Sequence, residues 1–533
     1  GVDHRLETAT IYLRDTKDEI KIKNGDSIET INESNRFNTD TSILYEERSM
    51  LSNQLRGKHN FPYLMDLALD WQYTDAKARR YAPGEVEFRY LNETQADGSV
   101  FSFLRRNQNA VNYSFSDMKD NTENFSWNTS LPLTWGKAEL LLSGGYSYFE
   151  RSRNAQTDRF NFDTVGYSLQ QLSGSFSQIF SDANILDAAN GFKISNVTTQ
   201  ADDYIAAQMI DAGYLALEIN YDYQWRLNIG GRYEDFKQIS LPLTADGSLS
   251  GEPTESVLLE DGFYPALSLT WFINDELQAR FGYSQTVIRP DLREVTPVLY
   301  VDPLTDFKIT GFAGLQSTDI NSADARLEWY YDNSNYSIGL FYKDLENPIE
   351  AIELSGSDGN LLMSFRNAQS GKVYGAEAEF LQQLDMFGGD VGKLADNFFV
   401  AGNLTVSESE ISIQRFPGAN LTNLERSLSG HSKYVANLQL GFDSDNNQHN
   451  ATLTYNVFGK RIAFAGVNDK DDAYEQPFNS LDFTYSYTPL ESMTVKLGLK
   501  NLLDEDVEIL QQGEILQKRI EGQSYSLSFS YKY

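Results

Sequence analysis

The chain has 533 residues, of which 76 are acidic and 44 are lysine or arginine, so its net charge is −32 at pH 7. This charge argues against nucleic acid as a partner, because phosphate contacts need clustered basic residues. Aromatic residues make up 13% of the chain, which argues against intrinsic disorder, and the lack of cysteine excludes disulfides and thiolate metal sites. No apolar run reaches the roughly 18 residues of a transmembrane helix, so a membrane-spanning fold of this chain has to be a closed β-barrel.

Predicted strands recur along the chain from Glu7–Asp15 onward, with apolar and polar residues in alternation. The clearest segment, Gln224–Glu234, has one apolar face, made of Trp225, Leu227, Ile229, Gly231 and Tyr233. Its other face is polar and contains Gln224, Arg226, Asn228, Gly230, Arg232 and Glu234. The same division appears in 214–221, 277–284, 325–331 and 336–343. Many segments sustain about ten residues, the length a tilted strand needs to cross a bilayer, whereas strands of soluble sandwiches are shorter.

The predicted connections between strands alternate between short and long. Short links are expected at Gly57–Asn60, Trp135–Lys137, Tyr221–Tyr223, Ile273–Asp275, Asp332–Ser334, Asp443–Gln448 and Tyr487–Ser492, with a longer one at Leu384–Asn397. Long polar loops are expected at Ala78–Asn121, Ser152–Thr199, Ser240–Asp261, Arg289–Ile320, Ser355–Ser370, Ile413–Ser429, Arg461–Glu475 and Leu502–Gly522. Bacterial outer-membrane barrels have this asymmetry, with short turns in the periplasm and long loops outside. The pattern predicts an all-β, antiparallel transmembrane barrel with about 18 strands within residues 1–533.

Two groups of aromatic residues support this interpretation. Trp135, Trp225, Trp271 and Trp329 lie close to predicted short turns, where an interfacial girdle would place them, whereas Trp71 and Trp127 fit the girdle less well. At the end of the chain, Tyr525, Leu527, Phe529, Tyr531 and Tyr533 alternate with small or polar residues. This pattern predicts a terminal strand with one face toward lipid.

Candidate functional residues fall into two sets. The charged side chains predicted to face the lumen are Arg226, Arg232, Glu234, Arg280, Arg326 and Glu328. They would contact a plug or line a substrate path, although barrel interiors are polar in any case. The preferred ligand-binding region is the outer loop after strand 277–288, with Arg289, Asp291, Arg293, Tyr300 and Asp302. Charged and aromatic groups converge there, and three prolines restrict the backbone.

Four segments, in order along the chain, resemble the barrel of TonB-dependent receptors. They are Phe281–Pro290 (FGYSQTVIRP), Phe341–Glu350 (FYKDLENPIE), Val373–Phe380 (VYGAEAEF) and Gly498–Asp506 (GLKNLLDED). The terminal aromatic strand resembles the signal read by the barrel-assembly machinery. The resemblance implies a 22-stranded barrel around a plug, and active import of a small nutrient that is energised by the TonB complex.

The start of the chain has neither signal-peptide features nor a plug sequence. We therefore expect residues 1–533 to be the C-terminal barrel portion of a receptor whose plug and first strands lie elsewhere. The resemblance places it in the outer membrane of a Gram-negative bacterium, in contact with lipid and lipopolysaccharide. It leaves open whether the nutrient is a ferric siderophore, a carbohydrate, a peptide or a cobalamin-like compound.

No catalytic or metal-binding pattern stands out. The four histidines, His4, His59, His431 and His449, do not have metal-ligand spacing, and no phosphate-binding loop or EF-hand is present. We therefore expect a transporter without a cofactor rather than an enzyme. The alternatives are a passive porin-type channel and an outer-membrane adhesin or enzyme, and the latter would need a His/Ser/Asp cluster at the barrel rim.

Overall fold

The computed structural model describes residues 3–25, 35–186, 191–198, 202–243, 256–301, 308–354, 362–384, 395–414 and 421–532. Within these residues, the main element is a 21-stranded antiparallel sheet. Three of its strands are short pieces of the connections, namely Val100–Leu104, Lys193–Asn196 and Glu425–Arg426. The other eighteen strands form the wall of the barrel, which confirms the predicted fold class.

The wall strands follow one another in chain order, each paired with the next. They are β1 (His4–Gly25), β2 (Arg36–Phe61), β3 (Leu67–Thr94), β4 (Val111–Trp135), β5 (Ala138–Asp163), β6 (Tyr204–Tyr221), β7 (Trp225–Pro242), β8 (Ser256–Phe272), β9 (Leu277–Ile288), β10 (Thr318–Tyr331), β11 (Ser334–Glu346), β12 (Ser370–Gln383), β13 (Phe398–Ser412), β14 (Tyr434–Asp443), β15 (His449–Phe458), β16 (Phe478–Leu490), β17 (Met493–Lys500) and β18 (Ser524–Tyr531). Among the described residues, β1 pairs only with β2 and β18 only with β17, so each has one free edge.

The long connections contain structure of their own. The strands Leu299–Val301, Lys308–Thr310, Ile349–Leu354 and Leu362–Asn367 form one four-stranded sheet, and Arg461–Phe464, Ala473–Glu475, Val507–Gln511 and Glu514–Arg519 form another. Single helical turns lie at Pro62–Leu64, Phe176–Ile179 and Asp182–Ile185. No helix in the described part of the chain is long and apolar enough to span a membrane.

The alternating faces predicted for the strands are present as continuous rows across the sheet. Leu217 lies opposite Ile229, Ile229 opposite Leu267, and Leu267 opposite Tyr283. Ile229, Leu267 and Tyr283 are all exposed, and so are most large apolar side chains on the same face of neighbouring strands. An exposed apolar surface that runs around a sheet is what a lipid-facing wall requires.

The tryptophans occupy this outer face. Trp225 lies opposite Trp271, and their rings stack at 5.3 Å. Trp329 stacks on Tyr336 at the same distance. Trp71 and Trp127, which fitted the predicted girdle less well, also lie directly opposite each other on neighbouring strands.

Most predicted short links are turns, but the predicted bounds of one short link and of one long loop were wrong. The predicted link at Gly57–Asn60 is strand, because β2 continues to Phe61 and the chain turns at Pro62–Asp66. The predicted loop Ala78–Asn121 is largely strand, because β3 continues to Thr94 and β4 begins at Val111. Beyond the bilayer the outer face no longer needs apolar residues, so strands continue there without clear alternation.

The last strand has the predicted faces. Tyr525, Leu527, Phe529 and Tyr531 share one face of β18 and are exposed. Tyr533 lies outside the described residues. The role of this strand as an assembly signal remains a prediction.

The two faces of β7 give a direct test. Replacing outward-facing Ile229 by Arg should lower the free energy of unfolding by about 2–4 kcal/mol, because a charge would enter the hydrocarbon region. Replacing its neighbour Asn228, which faces the lumen, by Arg should change it by less than about 1 kcal/mol. Urea unfolding of both variants in lipid vesicles measures the difference, and equal destabilisation would contradict the assignment of the faces.

Candidate functional site

Five of the six charged residues predicted to face the lumen join two networks on the face opposite the apolar rows, and their role toward a plug or a substrate remains a prediction. The network nearer the short turns, which we call the lower network, surrounds the buried carboxylate of Glu328 on β10. Arg280 and Arg326 contact this carboxylate at 3.2 and 3.0 Å. Arg326 also pairs with Glu379, while Gln278 and Tyr330 donate hydrogen bonds to Glu328. Two arginines and two glutamates make this network electrically balanced.

Arg226 lies apart from both networks, near the turn between β6 and β7. Its Nε donates to Asn220 at 2.8 Å, and Glu218 lies at 4.0 Å. Arg226 is the second residue of β7 and therefore lies at the short-turn end of the wall.

The other network, which lies nearer the long loops and which we call the upper network, joins strand β7 to the predicted ligand loop. Glu234 on β7 accepts from Arg232 at 2.6 Å and pairs with Arg289 Nη1 at 2.6 Å. The Arg289 guanidinium also lies 4.3 Å above the ring of Phe236, which is fully buried. Arg289 and Glu234, which the sequence assigned to different sets, therefore form one buried contact.

The loop that follows β9 continues along the inner wall from this contact. Gln238 Nε2 donates to the carbonyl oxygen of Pro290 at 2.9 Å, and the hydroxyls of Ser240 and Thr296 are 2.6 Å apart. Leu292 packs with Ala155, Tyr204 and Ala206, residues of β5 and β6. We call residues 289–300 the inner loop, because all these partners lie on the lumen side of the wall.

The other predicted loop residues have separate surroundings. Asp291 is exposed, with a carboxylate oxygen 4.0 Å from Arg151 Nη1. The Arg293 guanidinium lies 4.7 Å from the ring centre of Tyr300. Asp302 lies outside the described residues. Their roles in ligand binding remain predictions.

Glu294 helps to shape the inner loop. Its Oε2 accepts a hydrogen bond from the backbone N–H of Asp291 at 2.8 Å. Burial raises the pKa of Glu294, while this hydrogen bond opposes the shift. Together with the backbone bond from the Glu294 N–H to the Asp291 carbonyl oxygen at 2.9 Å, the side-chain hydrogen bond closes the turn at the start of the inner loop.

Sequence reasoning missed two further arginine clusters on the inner face. In one, Arg48 and Arg80 both contact the carboxylate of Glu46. In the other, Arg151 and Arg153 contact Asp120 at 2.6 and 2.7 Å. In both clusters an arginine and the shared carboxylate come from different strands, so the pattern along the chain does not reveal them.

Two of the four histidines lie close together in space although they are far apart in the sequence. His4 and His59 lie opposite each other on β1 and β2, with their Nδ1 atoms 3.3 Å apart. Trp71 Nε1 donates to His59 Nε2 at 3.1 Å. Among the described residues, no group of three or more histidine or carboxylate side chains has the geometry of a metal site.

A serine–histidine pair bears on the enzyme alternative. His431 Nε2 lies 2.9 Å from Ser407 Oγ, and burial lowers the pKa of this histidine. In the described part of the chain its Nδ1 has no hydrogen-bond partner, and Ser407 is buried. The pair therefore lacks the carboxylate that orients histidine in a catalytic triad, and it lacks access to substrate.

A buried ion pair holds the outer connections together. Arg426 Nη2 contacts Glu350 at 3.0 Å, and Ser429 Oγ donates to the same carboxylate at 2.7 Å. Both charged side chains are almost completely buried. This contact joins the segment after β11 to the segment after β13, which orders the outer mouth of the barrel.

An exposed apolar outer face, a charged inner face and loops folded at one mouth define an outer-membrane-type β-barrel. The sequence matches the family described as TonB dependent receptor-like, beta-barrel, over residues 7–502. The chain belongs to this family, whose members are outer-membrane transporters and receptors of Gram-negative bacteria and not enzymes.

Solved structures of low sequence identity share the fold. The ferric citrate transporter FecA, without ligand, is 11% identical with a TM-score of 0.56, over 100% of this chain and 78% of that one. The siderophore receptor PiuA from Acinetobacter baumannii is 12% identical with a TM-score of 0.54, over 100% and 82%. The ferric-catecholate import receptor Fiu from E. coli K12 is 11% identical with a TM-score of 0.54, over 99% and 81%. No curated protein sequence gives a significant match.

The Arg289 contact is predicted to hold the inner loop in place. Replacing Arg289 by Ala removes charge-assisted bonds worth about 1.5–3 kcal/mol, so amide exchange at Glu294 and Val295 should accelerate roughly 10- to 100-fold. Hydrogen exchange followed by mass spectrometry measures this. Arg293→Ala is the control, because Arg293 stacks on Tyr300 and forms no ion pair within the described part of the chain, and its effect should stay below about fivefold. Unchanged protection in Arg289→Ala would show that the contact does not hold the loop.

Proposed function

We propose that the chain is the barrel domain of an active outer-membrane transporter, which binds a scarce nutrient on its extracellular side and passes it to the periplasm. Membership of the TonB-dependent receptor family supports this proposal. The single structural observation that carries it is the inner loop, whose anchor Arg289 bonds to Glu234 on the lumen wall. A ligand that contacts such a loop contacts the lumen at the same time, so binding outside is coupled to the transport path.

The partners follow from this proposal. The TonB complex would supply energy through a plug segment of the same receptor, and the apolar outer face would contact lipid and lipopolysaccharide. The terminal strand, with Tyr525, Leu527, Phe529 and Tyr531 outward, would be read by the barrel-assembly machinery. Acid-rich outer loops would face the anionic membrane surface through divalent ions or remain solvated.

The free edges of β1 and β18 support a larger barrel. An unpaired strand edge in hydrocarbon is strongly disfavoured, because its N–H and C=O groups have no water partners. We propose that further strands of the receptor join β18 to β1 and close the wall around the plug. Direct pairing of β1 with β18 would instead make a complete barrel from this chain.

Ligand identity is a separate question from transport. The structural relatives are named for ferric citrate, siderophore and ferric-catecholate transport, which makes iron complexes the first compounds to test. Carbohydrates, peptides and cobalamin-like compounds remain in the panel, because low identity to these relatives supports the fold alone.

Uptake measurements separate active import from a passive channel. In the native bacterium, deletion of the gene should abolish accumulation of at least one labelled compound among ferric citrate, a ferric catecholate, cobalamin and maltohexaose. A protonophore should abolish the same uptake, because transport depends on the energised inner membrane. Accumulation that needs the gene but continues at the same rate with the protonophore would identify a passive porin.

A further inference from the structure

Three neighbouring short turns of the wall carry large apolar side chains that project into solvent. The turn at residues 62–66 joins β2 to β3, the turn at 136–137 joins β4 to β5, and the turn at 222–224 joins β6 to β7. Because β3 pairs with β4 and β5 pairs with β6, the three turns are adjacent along one end of the wall. Their exposed apolar residues, which we call the apolar rim, are Tyr63, Leu64, Met65, Trp135 and Tyr223.

The side chains of the apolar rim have little cover from the rest of the chain. Tyr63, Trp135 and Tyr223 are 100%, 81% and 90% exposed, and Leu64 and Met65 are more than half exposed. Tyr63 and Tyr223 lie beyond the last paired residues of their strands, Phe61 and Tyr221. Their rings therefore project from the tips of the turns and are free to contact another molecule.

The apolar rim occupies one sector of the short-turn end. Among the other short turns that the structure describes, those at 274–276, 332–333 and 444–448 have polar tips. Leu490, in the turn between β16 and β17, is 62% exposed but stands alone beside Glu491 and Ser492. A girdle that contacts lipid headgroups would run around the whole wall, so the one-sided position favours a specific partner.

The backbone presents two of these side chains in a strained conformation. Met65 and Tyr223 both have a φ of 58°, in the left-handed region that large side chains rarely adopt. Asn, Asp or Gly would fit such turn positions with less strain. Strain of this kind persists where function requires it, so it indicates a role for these side chains outside the turns.

Two of the three turns are linked to each other. Lys137 Nζ contacts Asp222 Oδ2 at 2.7 Å, and the Asp222 backbone N–H donates to the Lys137 carbonyl oxygen at 3.2 Å. The ion pair neutralises both charges beside Trp135 and Tyr223. An ordered and nearly neutral surface that carries Tyr, Trp and Met has the composition of the core of a protein–protein interface.

The position of the apolar rim limits which protein can cover it. Trp135 lies eight residues from Trp127 on β4, so it faces outward and is out of reach of a plug within the lumen. The short turns of outer-membrane barrels lie in the periplasm. The partner therefore approaches from the periplasm, where the energy-coupling protein of a TonB-dependent receptor operates.

We propose that the apolar rim is a docking surface for the periplasmic domain of the energy-coupling TonB protein, in addition to the contact of that protein with a plug segment. This inference rests on the proposed transport function and places part of the partner's binding site on the wall itself. A one-sided site suits a single copy of the partner and leaves the rest of the short-turn end open for release of the nutrient. Five side chains form a small contact, which is typical of partners that bind and dissociate repeatedly.

The strained turns allow variants that should not disturb folding. Asn adopts the left-handed region more readily than Met or Tyr, so Met65→Asn and Tyr223→Asn remove the apolar side chains and keep the turns. Tyr63→Ser removes a side chain that is fully exposed. Leu490→Ser is the matched control, because Leu490 is also an exposed apolar residue of a short turn but lies outside the apolar rim. A change of SDS–PAGE migration on heating checks that each variant is folded.

Biolayer interferometry with the full-length receptor in lipid nanodiscs and the purified periplasmic domain of TonB from the same bacterium tests the proposal. The domain should bind the wild type, and each of Tyr63→Ser, Met65→Asn and Tyr223→Asn should weaken binding about 5- to 10-fold. Leu490→Ser should change binding by less than about twofold. Nitroxide labels on cysteines at positions 63 and 223 should contact a water-soluble nickel complex and lose this contact when the domain binds.

Three results would overturn the proposal. These are no binding of the domain to the wild type, wild-type binding by the folded triple variant, and labels at 63 and 223 that contact oxygen in lipid but not the nickel complex, which would place the apolar rim in the membrane. None of them removes active transport, because uptake that is blocked by a protonophore would still demonstrate it. Uptake that continues with the protonophore would overturn the proposed function and this docking site together.

Discussion

A peptide N–H or C=O group in hydrocarbon has no water to bond with, so each strand of the wall has to find its partners on the neighbouring strands. This constraint accounts for the successive antiparallel pairings from β1 to β18. It also fixes the direction of the side chains, because residues of a paired strand alternate between lipid and lumen. The apolar row through Leu217, Ile229 and Leu267 and the charged row on the other face are two results of the same hydrogen bonding.

The inner face can carry polar and charged side chains, since water and ion pairs can satisfy their hydrogen-bonding groups. Charges there are arranged as compact networks in which one carboxylate orients two arginines, as at Glu328 and Glu234. Such a network keeps long side chains in defined positions, at the cost of desolvating the central anion. The upper network does this while also anchoring the inner loop through Arg289, so wall and loop share one electrostatic contact.

The sequence predicted the structure best where lipid restricts it. In Gln224–Glu234 every second residue has to suit hydrocarbon, and the predicted faces agree with the structure. Above the bilayer this restriction ends, so the sequence predicts a loop from Ala78 onward where the structure continues as strand to Thr94. The arginine clusters escaped prediction for another reason. Contacts such as Arg80 with Glu46 or Arg151 with Asp120 join residues about 30 positions apart, and the register of the strands brings them together.

Residues 1–533 contain no cysteine, so a cysteine introduced at one position gives this part of the receptor a single label and allows a direct measurement of the central claim. Nitroxide labels placed one at a time at positions 225–234 of the receptor in lipid vesicles report contact with oxygen, which enriches in lipid, and with a water-soluble nickel complex. The account predicts high oxygen accessibility at 225, 227, 229, 231 and 233, and lower values at the positions between them. Uniform accessibility, or the highest oxygen accessibility at Arg226, Arg232 and Glu234, would contradict a wall with lipid outside and charge within.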